Sequence, residues 1–337
     1  PGFTDQKSKT KGLKVRLALS GFYVYSLLME TRELIEASLQ TDQGLIRDHN
    51  EDFVIFCEPQ NAEEEAQNGW LYIVADGVGG ADAGEVASQF ASESVIAHYT
   101  NDHFELGLGE RLWRAMQAAN TDLRQLVADR NDDSRMATTM VAALFHGSQV
   151  FIGNVGDSRG YHFRNGRIRQ ITKDQSLVAK LVEEGAITEE EAFNHPRKNV
   201  ILYSLGSEKE PKIDIYEETA EPDDIFLLCS DGLTRHVHDE EIQEILQHQE
   251  PLRASRILID LANDRGGEDN ISVAVLRYKA GNVNGAGETA VLVPSKAEAT
   301  KSSAEKAAQR RTLWLYTIIL SLVQTILIIL IWVLLQV

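Results

Sequence analysis

Val74-Ala75-Asp76-Gly77-Val78-Gly79-Gly80 is the stretch on which the reading of this chain turns. An apolar run from Trp70 to Ala75 leads into it and stops on a carboxylate, and glycines follow at once. A buried strand that ends on aspartate and turns sharply on glycine holds one charged oxygen group at a fixed point. By itself the pattern also fits an ordinary strand–turn–helix connection in which the aspartate caps the turn. The rest of the chain decides between the two.

The same setting recurs. Ala75-Asp76-Gly77, Gly156-Asp157-Ser158 and Ser230-Asp231-Gly232 each close an apolar run, while Glu51-Asp52 and Asp269 stand just before one. Strand ends gather at the rims of sheets, so acids far apart in sequence could converge. Converging carboxylates raise one another's pKa unless a cation lies among them. Hard oxygen donors suit octahedral Mg²⁺ or Mn²⁺. The chain offers no Cys/His cluster for zinc.

Composition narrows the class. The 337 residues are 43% hydrophobic and 25% charged, ordinary usage for a globular protein. A formal net charge of -18 disfavours nucleic-acid binding and fits an enzyme that attracts divalent cations. Cys57 and Cys229 each lie in an apolar run, which suggests no disulfide framework and a reducing compartment.

Period-two patterning predicts strands over 34–40, 53–57, 70–75, 138–145, 150–155, 160–163, 167–171, 212–217, 224–229 and 271–278. Asn165-Gly166 marks a tight hairpin. Helical spacing is expected after Gly84-Glu85, over 109–129 with Trp113, Met116, Leu123 and Val127 inward, and over 176–185, 188–193, 238–248 and 251–264. Residues 58–69 read as a surface loop. Short turns between most strands argue for antiparallel sheets with helices outside, an α+β fold, rather than a doubly wound parallel sheet.

Both termini depart from this pattern. Residues 1–32 read as an extension. Its Lys7, Lys9, Lys11, Lys14 and Arg16 precede the apolar run Leu17 to Leu28, like the start of a signal peptide, yet no small-residue cleavage site follows. Met29 is the expected native start. A domain over 33–278 follows, then a tether at 279–311 rich in Ala, Gly, Ser, Asn and charge. Residues 312–337 are expected to form a single transmembrane helix. No charged residue occurs from Leu313 to Val337, and roughly 20 apolar residues span a bilayer. Trp314, Tyr316 and Trp332 lie near the ends of the span. Lys301, Lys306, Arg310 and Arg311 precede it, so the domain over 33–278 is expected in the cytoplasm on a membrane anchor. The alternative is a buried core helix.

Arg47-x-x-Asn50-Glu51-Asp52, Val74-Ala75-Asp76-Gly77-x-Gly79-Gly80, Thr138-Thr139, Gly153-Asn154-x-Gly156-Asp157-Ser158-Arg159, Cys229-Ser230-Asp231-Gly232-Leu233 and Gly267-x-Asp269-Asn270 occur in this order. Together they resemble the metal-dependent protein Ser/Thr phosphatases of type 2C, in the compact bacterial form, over about residues 34–278. The resemblance implies a four-layer α/β/β/α sandwich, two antiparallel sheets flanked by helices, with a metal centre at one edge. It implies that Asp76 bridges two Mn²⁺ or Mg²⁺ ions, that the Gly77 carbonyl ligates one, and that Asp231 and Asp269 ligate the other. Glu51 and Asp52 would order bound waters, Asp157 with Asp231 would hold a third, weaker ion, and Arg47 would grip the substrate phosphate.

The implied reaction is hydrolysis of phosphoserine and phosphothreonine in proteins by a monomer that opposes a Ser/Thr kinase. Two ions about 4 Å apart share a water and lower its pKa, giving hydroxide for in-line attack on phosphorus. Arginine suits the phosphate because its planar fork is bidentate. One position departs from the pattern: some family members carry a histidine after Asp-Gly as general acid, and here that residue is Val78. Metal-bound water, or His49 or His195 by location alone, would then protonate the leaving group. Rival readings are a non-catalytic sensing module on the same fold and a phosphatase for a small phosphometabolite. A degenerate module should have lost Asp76, Asp231 or Asp269, and all are present.

Overall fold

Alternation along β4 (Trp70–Val78) sends Trp70, Tyr72 and Val74 to one face and Leu71, Ile73 and Ala75 to the other, and both sets are buried. A strand apolar on both faces needs a covering layer on each side. The computed structural model, which describes residues 16–17, 34–79, 82–101, 106–130 and 136–279, supplies both layers.

Among the described residues, one sheet has six strands in the order β1 (Arg16–Leu17), β3 (Asp52–Cys57), β4, β5 (Ala137–His146), β6 (Gln149–Val155) and β9 (Asp214–Thr219). The other has five, in the order β2 (Ile35–Asp42), β11 (Ile271–Tyr278), β10 (Ile225–Cys229), β7 (Arg159–Arg164) and β8 (Arg167–Gln170). All described pairings are antiparallel.

Between the sheets, Tyr72, Val74, Phe145 and Ile152 meet Phe226, Leu228, Ala274 and Leu276. Phe145 stands edge-on to both Tyr72 and Phe226, with centroids 6.1 and 5.2 Å apart, contacts that add about 0.5–1.5 kcal/mol each. α2 (Asp82–Asn101) and α3 (Leu108–Arg130) cover the outer face of the first sheet, with Ala87, Val95, Tyr99, Leu112, Met116 and Leu123 against Leu71 and Ile73. α7 (Asp239–His248) and α8 (Pro251–Asp264) cover the second, with Ile242, Leu246, Ala254 and Leu258 against Leu227, Val273 and Val275. The expected layering of two antiparallel sheets between helices is therefore present.

Several boundaries differ from the expectation. The presumed loop 58–69 contains α1 (Ala62–Asn68), because Asn61 caps it by accepting from the Glu64 N–H at 2.9 Å. Trp113, expected inward on α3, is 39% exposed. β4 runs on to Val78, so Asp76 lies inside the strand rather than at its end. Within the expected N-terminal extension, Arg16–Leu17 pairs with Ile55 and Phe56 of β3. Among the described residues no helix is long and apolar enough to cross a membrane. The span expected at 312–337, and all but the first residue of the tether, lie outside the described residues.

Candidate active site

The acids singled out in the sequence do come to one edge of the sandwich, and strand register explains how. Asp52 opens β3 directly opposite Asp76 of β4, and Asp76 pairs in turn with Thr139 of β5. Asp157 follows the end of β6, Asp231 follows β10, and Asp269 precedes β11. The first group belongs to one sheet and Asp231 and Asp269 to the other. Ser230 Oγ joins them by donating to Asp52 Oδ2 at 2.7 Å, and it accepts the Ser272 N–H at 2.9 Å. Thr138 Oγ1 donates to the Asp76 carbonyl at 2.8 Å, and Thr139 shares a 2.7 Å hydrogen bond with Ser158. The paired threonines of the sequence motif thus buttress the strand that carries Asp76.

Glycine is required here by close approach. A Cβ on Gly77 would lie 2.2 Å from the Gly84 carbonyl oxygen and 2.6 Å from that of Glu51. Gly77 N–H donates to the same Glu51 oxygen at 3.1 Å, and Ser88 Oγ donates to it at 2.6 Å. Glu51 N–H donates to Asn270 Oδ1 at 2.8 Å. Asn270 also donates its amide to the carbonyls of Gln43 and His49, at 2.8 and 2.9 Å. One side chain therefore fastens the β2–β3 loop, which carries Arg47, to the site.

Charge crowding is strong. Burial is the main cause that pushes the Asp52 carboxyl up to about 7 and that of Asp157 up to about 8. Burial raises Asp76 well above the carboxylate range, and the charges of Asp52, Asp231, Asp157 and Asp269 raise it further. Asp231 is raised by burial and by Asp269, against the pull of Arg235. Glu51 is raised by burial, with Arg47 opposing. Acids that feel one another in this way call for a cation among them.

The residues fit a divalent cation. Asp157 Oδ1 and Asp231 Oδ1 are buried with no hydrogen-bond partner among the described residues, which leaves lone pairs for a ligand. The donors are hard oxygens, the set that Mg²⁺ and Mn²⁺ take. Two arginines already engage these acids. Arg47, half exposed, places Nη2 2.8 Å from Asp269 Oδ1. Arg235 donates one Nη to Asp231 Oδ2 and the other to Asp269 Oδ2. In this arrangement no group of three His, Cys, Asp or Glu side chains among the described residues is spaced to hold a metal ion.

Reading from the sequence missed Arg235. The available signal was its position four residues after Asp231, the spacing at which an acid and a base meet on a helical turn. That reading also left Asn270 and Arg159 without roles. Arg159 forks onto Asp174, with Nε 3.0 Å from each carboxylate oxygen, and fixes the root of the segment that follows β8. His195 Nδ1 accepts from the Arg197 N–H within its own loop, and Val78 is 38% exposed at the end of β4.

The fold and the carboxylate-lined edge define a class first: an enzyme scaffold of two sheets between helices, built around hard oxygen donors. The chain belongs to the protein phosphatase 2C family, whose sequence profile matches residues 48–262. It is 40% identical over 250 residues to the serine/threonine phosphatase stp of Listeria monocytogenes, covering 72% of this chain and 95% of that one. Among solved structures it is similar to serine/threonine phosphatase Stp1 from Staphylococcus aureus, with a TM-score of 0.66, 33% identity, and coverage of 76% of this chain and 100% of that one. The catalytic domain of the phosphatase PstP in complex with two manganese ions matches with a TM-score of 0.61 and 38% identity, over 73% of this chain and 98% of that domain.

Proposed function

We propose that this chain is a Mn²⁺- or Mg²⁺-dependent protein phosphatase that hydrolyses phosphoserine and phosphothreonine in proteins. The observation that carries the reading is the gathering of Asp52, Asp76, Asp157, Asp231 and Asp269 at one edge, in a family whose relatives are named serine/threonine phosphatases. In this proposal Asp76, the Gly77 carbonyl, Asp231 and Asp269 would hold two divalent ions, and Asp157 with Asp231 would hold a third, weaker one. The bound cations supply the charge that activates water and offsets negative charge on the phosphoryl group.

The chain's own residues do the rest. Glu51 and Asp52 would order water held at the cation site by accepting its hydrogen bonds. Arg47, half exposed beside Asp269, would grip a phosphate dianion with its guanidinium fork. The register of β3, β4 and β5 and the Asn270 clamp keep these groups fixed before substrate arrives, so little reorganisation remains at the chemical step. The uncharged apolar run 313–337, with Lys301, Lys306, Arg310 and Arg311 before it, supports a membrane anchor with the catalytic domain in the cytoplasm, and a Ser/Thr kinase is the natural source of the substrate.

The test is Mn²⁺-dependent hydrolysis of a phosphothreonine peptide by the full chain. Asp231→Asn should abolish metal-dependent turnover, and Val78→Ala should leave it within about twofold. Absence of metal-dependent turnover in the unaltered chain, or turnover indifferent to Asp231→Asn, overturns the reading.

A further inference from the structure

We propose that Arg235 is a tethered internal cation that competes with the divalent ion for Asp231 and Asp269 and thereby sets the cation concentration at which the enzyme loads. The inference rests on the phosphatase reading above and concerns how the same site is filled.

Placement comes first. Ser230 and Asp231 open a single helical turn, α6 (Asp231–Thr234), and Arg235 is the residue that ends it. The Arg235 N–H donates to the Asp231 carbonyl at 2.9 Å, so backbone geometry fixes where the side chain starts. From there it folds back over the turn. One arm of the guanidinium reaches Asp231 Oδ2 and the other reaches Asp269 Oδ2. These are the two carboxylates assigned to the same ion. Asp269 is taken on both oxygens, since its Oδ1 accepts from Arg47 at 2.8 Å.

Two properties make this a competition. The Arg235 side chain is 18% exposed and each of the acids 13%, so the attraction is little screened by solvent or salt. A guanidinium also keeps its proton at any working pH. The acids therefore cannot be freed by loss of a proton from their partner. A divalent ion has to displace the guanidinium bodily, and the displaced arm remains tethered next to the site. Tethering gives it a high effective concentration against any free cation. When a binding-competent arrangement is only a fraction of the population, the apparent dissociation constant rises by the inverse of that fraction. A tenfold preference for the closed arrangement weakens cation uptake about tenfold.

The same contacts predict an opposite effect on stability. Arg235 is the counter-charge that lets Asp231 and Asp269 sit together at the rim, close to the raised Asp76 and Asp157. Its removal should loosen the cation-free protein while tightening cation binding. A residue with a merely structural role would weaken both. Lysine keeps the charge but lacks the fork that spans two carboxylates, so it should fall between arginine and a neutral side chain.

The experiment uses the full chain, stripped with EDTA and dialysed, and titrated with Mn²⁺ alone by calorimetry. Thermal unfolding is followed with EDTA and with saturating Mn²⁺. Arg235→Gln should bind Mn²⁺ about tenfold more tightly and melt lower in EDTA, with a larger rise in Tm on adding Mn²⁺. Arg235→Lys should show a smaller gain in affinity, on the order of threefold, and it carries the test if the glutamine variant does not fold. Affinity unchanged or weakened in the folded variants overturns the role assigned to Arg235. Asp231→Asn is titrated alongside. If the unaltered chain takes up no Mn²⁺ beyond what Asp231→Asn takes up, the metal site fails, and the phosphatase reading with it.

Discussion

Replacing Gly77 by alanine isolates what the crowding beside Asp76 contributes. The added Cβ would lie 2.2 Å from the Gly84 carbonyl oxygen, 2.5 Å from its carbon and 2.6 Å from the Glu51 carbonyl oxygen. All are backbone atoms, so relief requires β4 to move by about 1 Å against α2 and the β2–β3 loop, an overpacking cost of about 1–3 kcal/mol. The same movement stretches the 3.1 Å hydrogen bond from Gly77 N–H to Glu51. Its loss adds about 1 kcal/mol. A total near 3 kcal/mol corresponds to a fall in Tm of roughly 6–12 °C for a domain of this size. Gly160 provides the contrast. A Cβ there meets methyl groups of Ile152 and Thr172 at 3.2 and 3.3 Å, and side chains give way where backbone does not. Gly160→Ala should stay within about 1 kcal/mol, helped by alanine's advantage over glycine in a strand. Thermal unfolding of both variants, with and without Mn²⁺, measures the difference. A Gly77→Ala protein that melts within 2 °C of the parent (a shift well below the range derived above) and keeps its Mn²⁺ affinity would refute the reasoning.

Other outcomes follow from the same geometry. Arg47→Lys should lower kcat/KM for a phosphothreonine peptide about 10–100-fold, the worth of charge-assisted hydrogen bonds of about 1.5–3 kcal/mol, with Tm little changed because the side chain is half exposed. Asp224 is buried, and burial alone would raise its pKa, but hydrogen bonds from Arg164, the Glu221 N–H and His162 hold it below its ordinary value. That stabilisation is complete above pH 4 or so and is lost as pH falls through the lower folded pKa. The Tm deficit of Asp224→Asn, worth roughly 2–3 kcal/mol at pH 7, should therefore shrink as unfolding is measured at progressively lower pH. A deficit constant down to about pH 2 would rule out the charge as its source. For the proposed anchor, the full chain should partition with membranes and need detergent for release, whereas recovery in the soluble fraction would remove it.

The framework was legible wherever side-chain period and turn chemistry agreed. Asn165 and Gly166 both take positive φ, 53° and 74°, and the hairpin they mark forms as expected between β7 and β8. The last strand, 271–278, is apolar, closely follows glycine and carries no competing helical spacing, and it forms over the same residues. α1 was not legible because Glu63-Glu64-Glu65 looks like a solvated loop, and only the Asn61 cap reveals the helix. Trp113 misled because its spacing fits the buried stripe of α3, yet it is 39% exposed and lines an open groove with Phe151 of β6 and with Ile215 and Glu217 of β9. In the site, strand-end acids were visible as residue types. Arg235 was not, because its meaning depends on Asp269 arriving from another strand, and no local spacing encodes that.

The hydrogen bond from Ser230 to Asp52 is one of the points where the two sheets touch at the carboxylate edge. An ion held there by Asp76 on one side and by Asp231 and Asp269 on the other would rivet the sandwich shut. Loading at a hundred times its dissociation constant adds about 2.7 kcal/mol to the folded state. A cell short of manganese would then hold an enzyme that is idle and also opens more often to proteases, so cation supply would govern how long each molecule lasts.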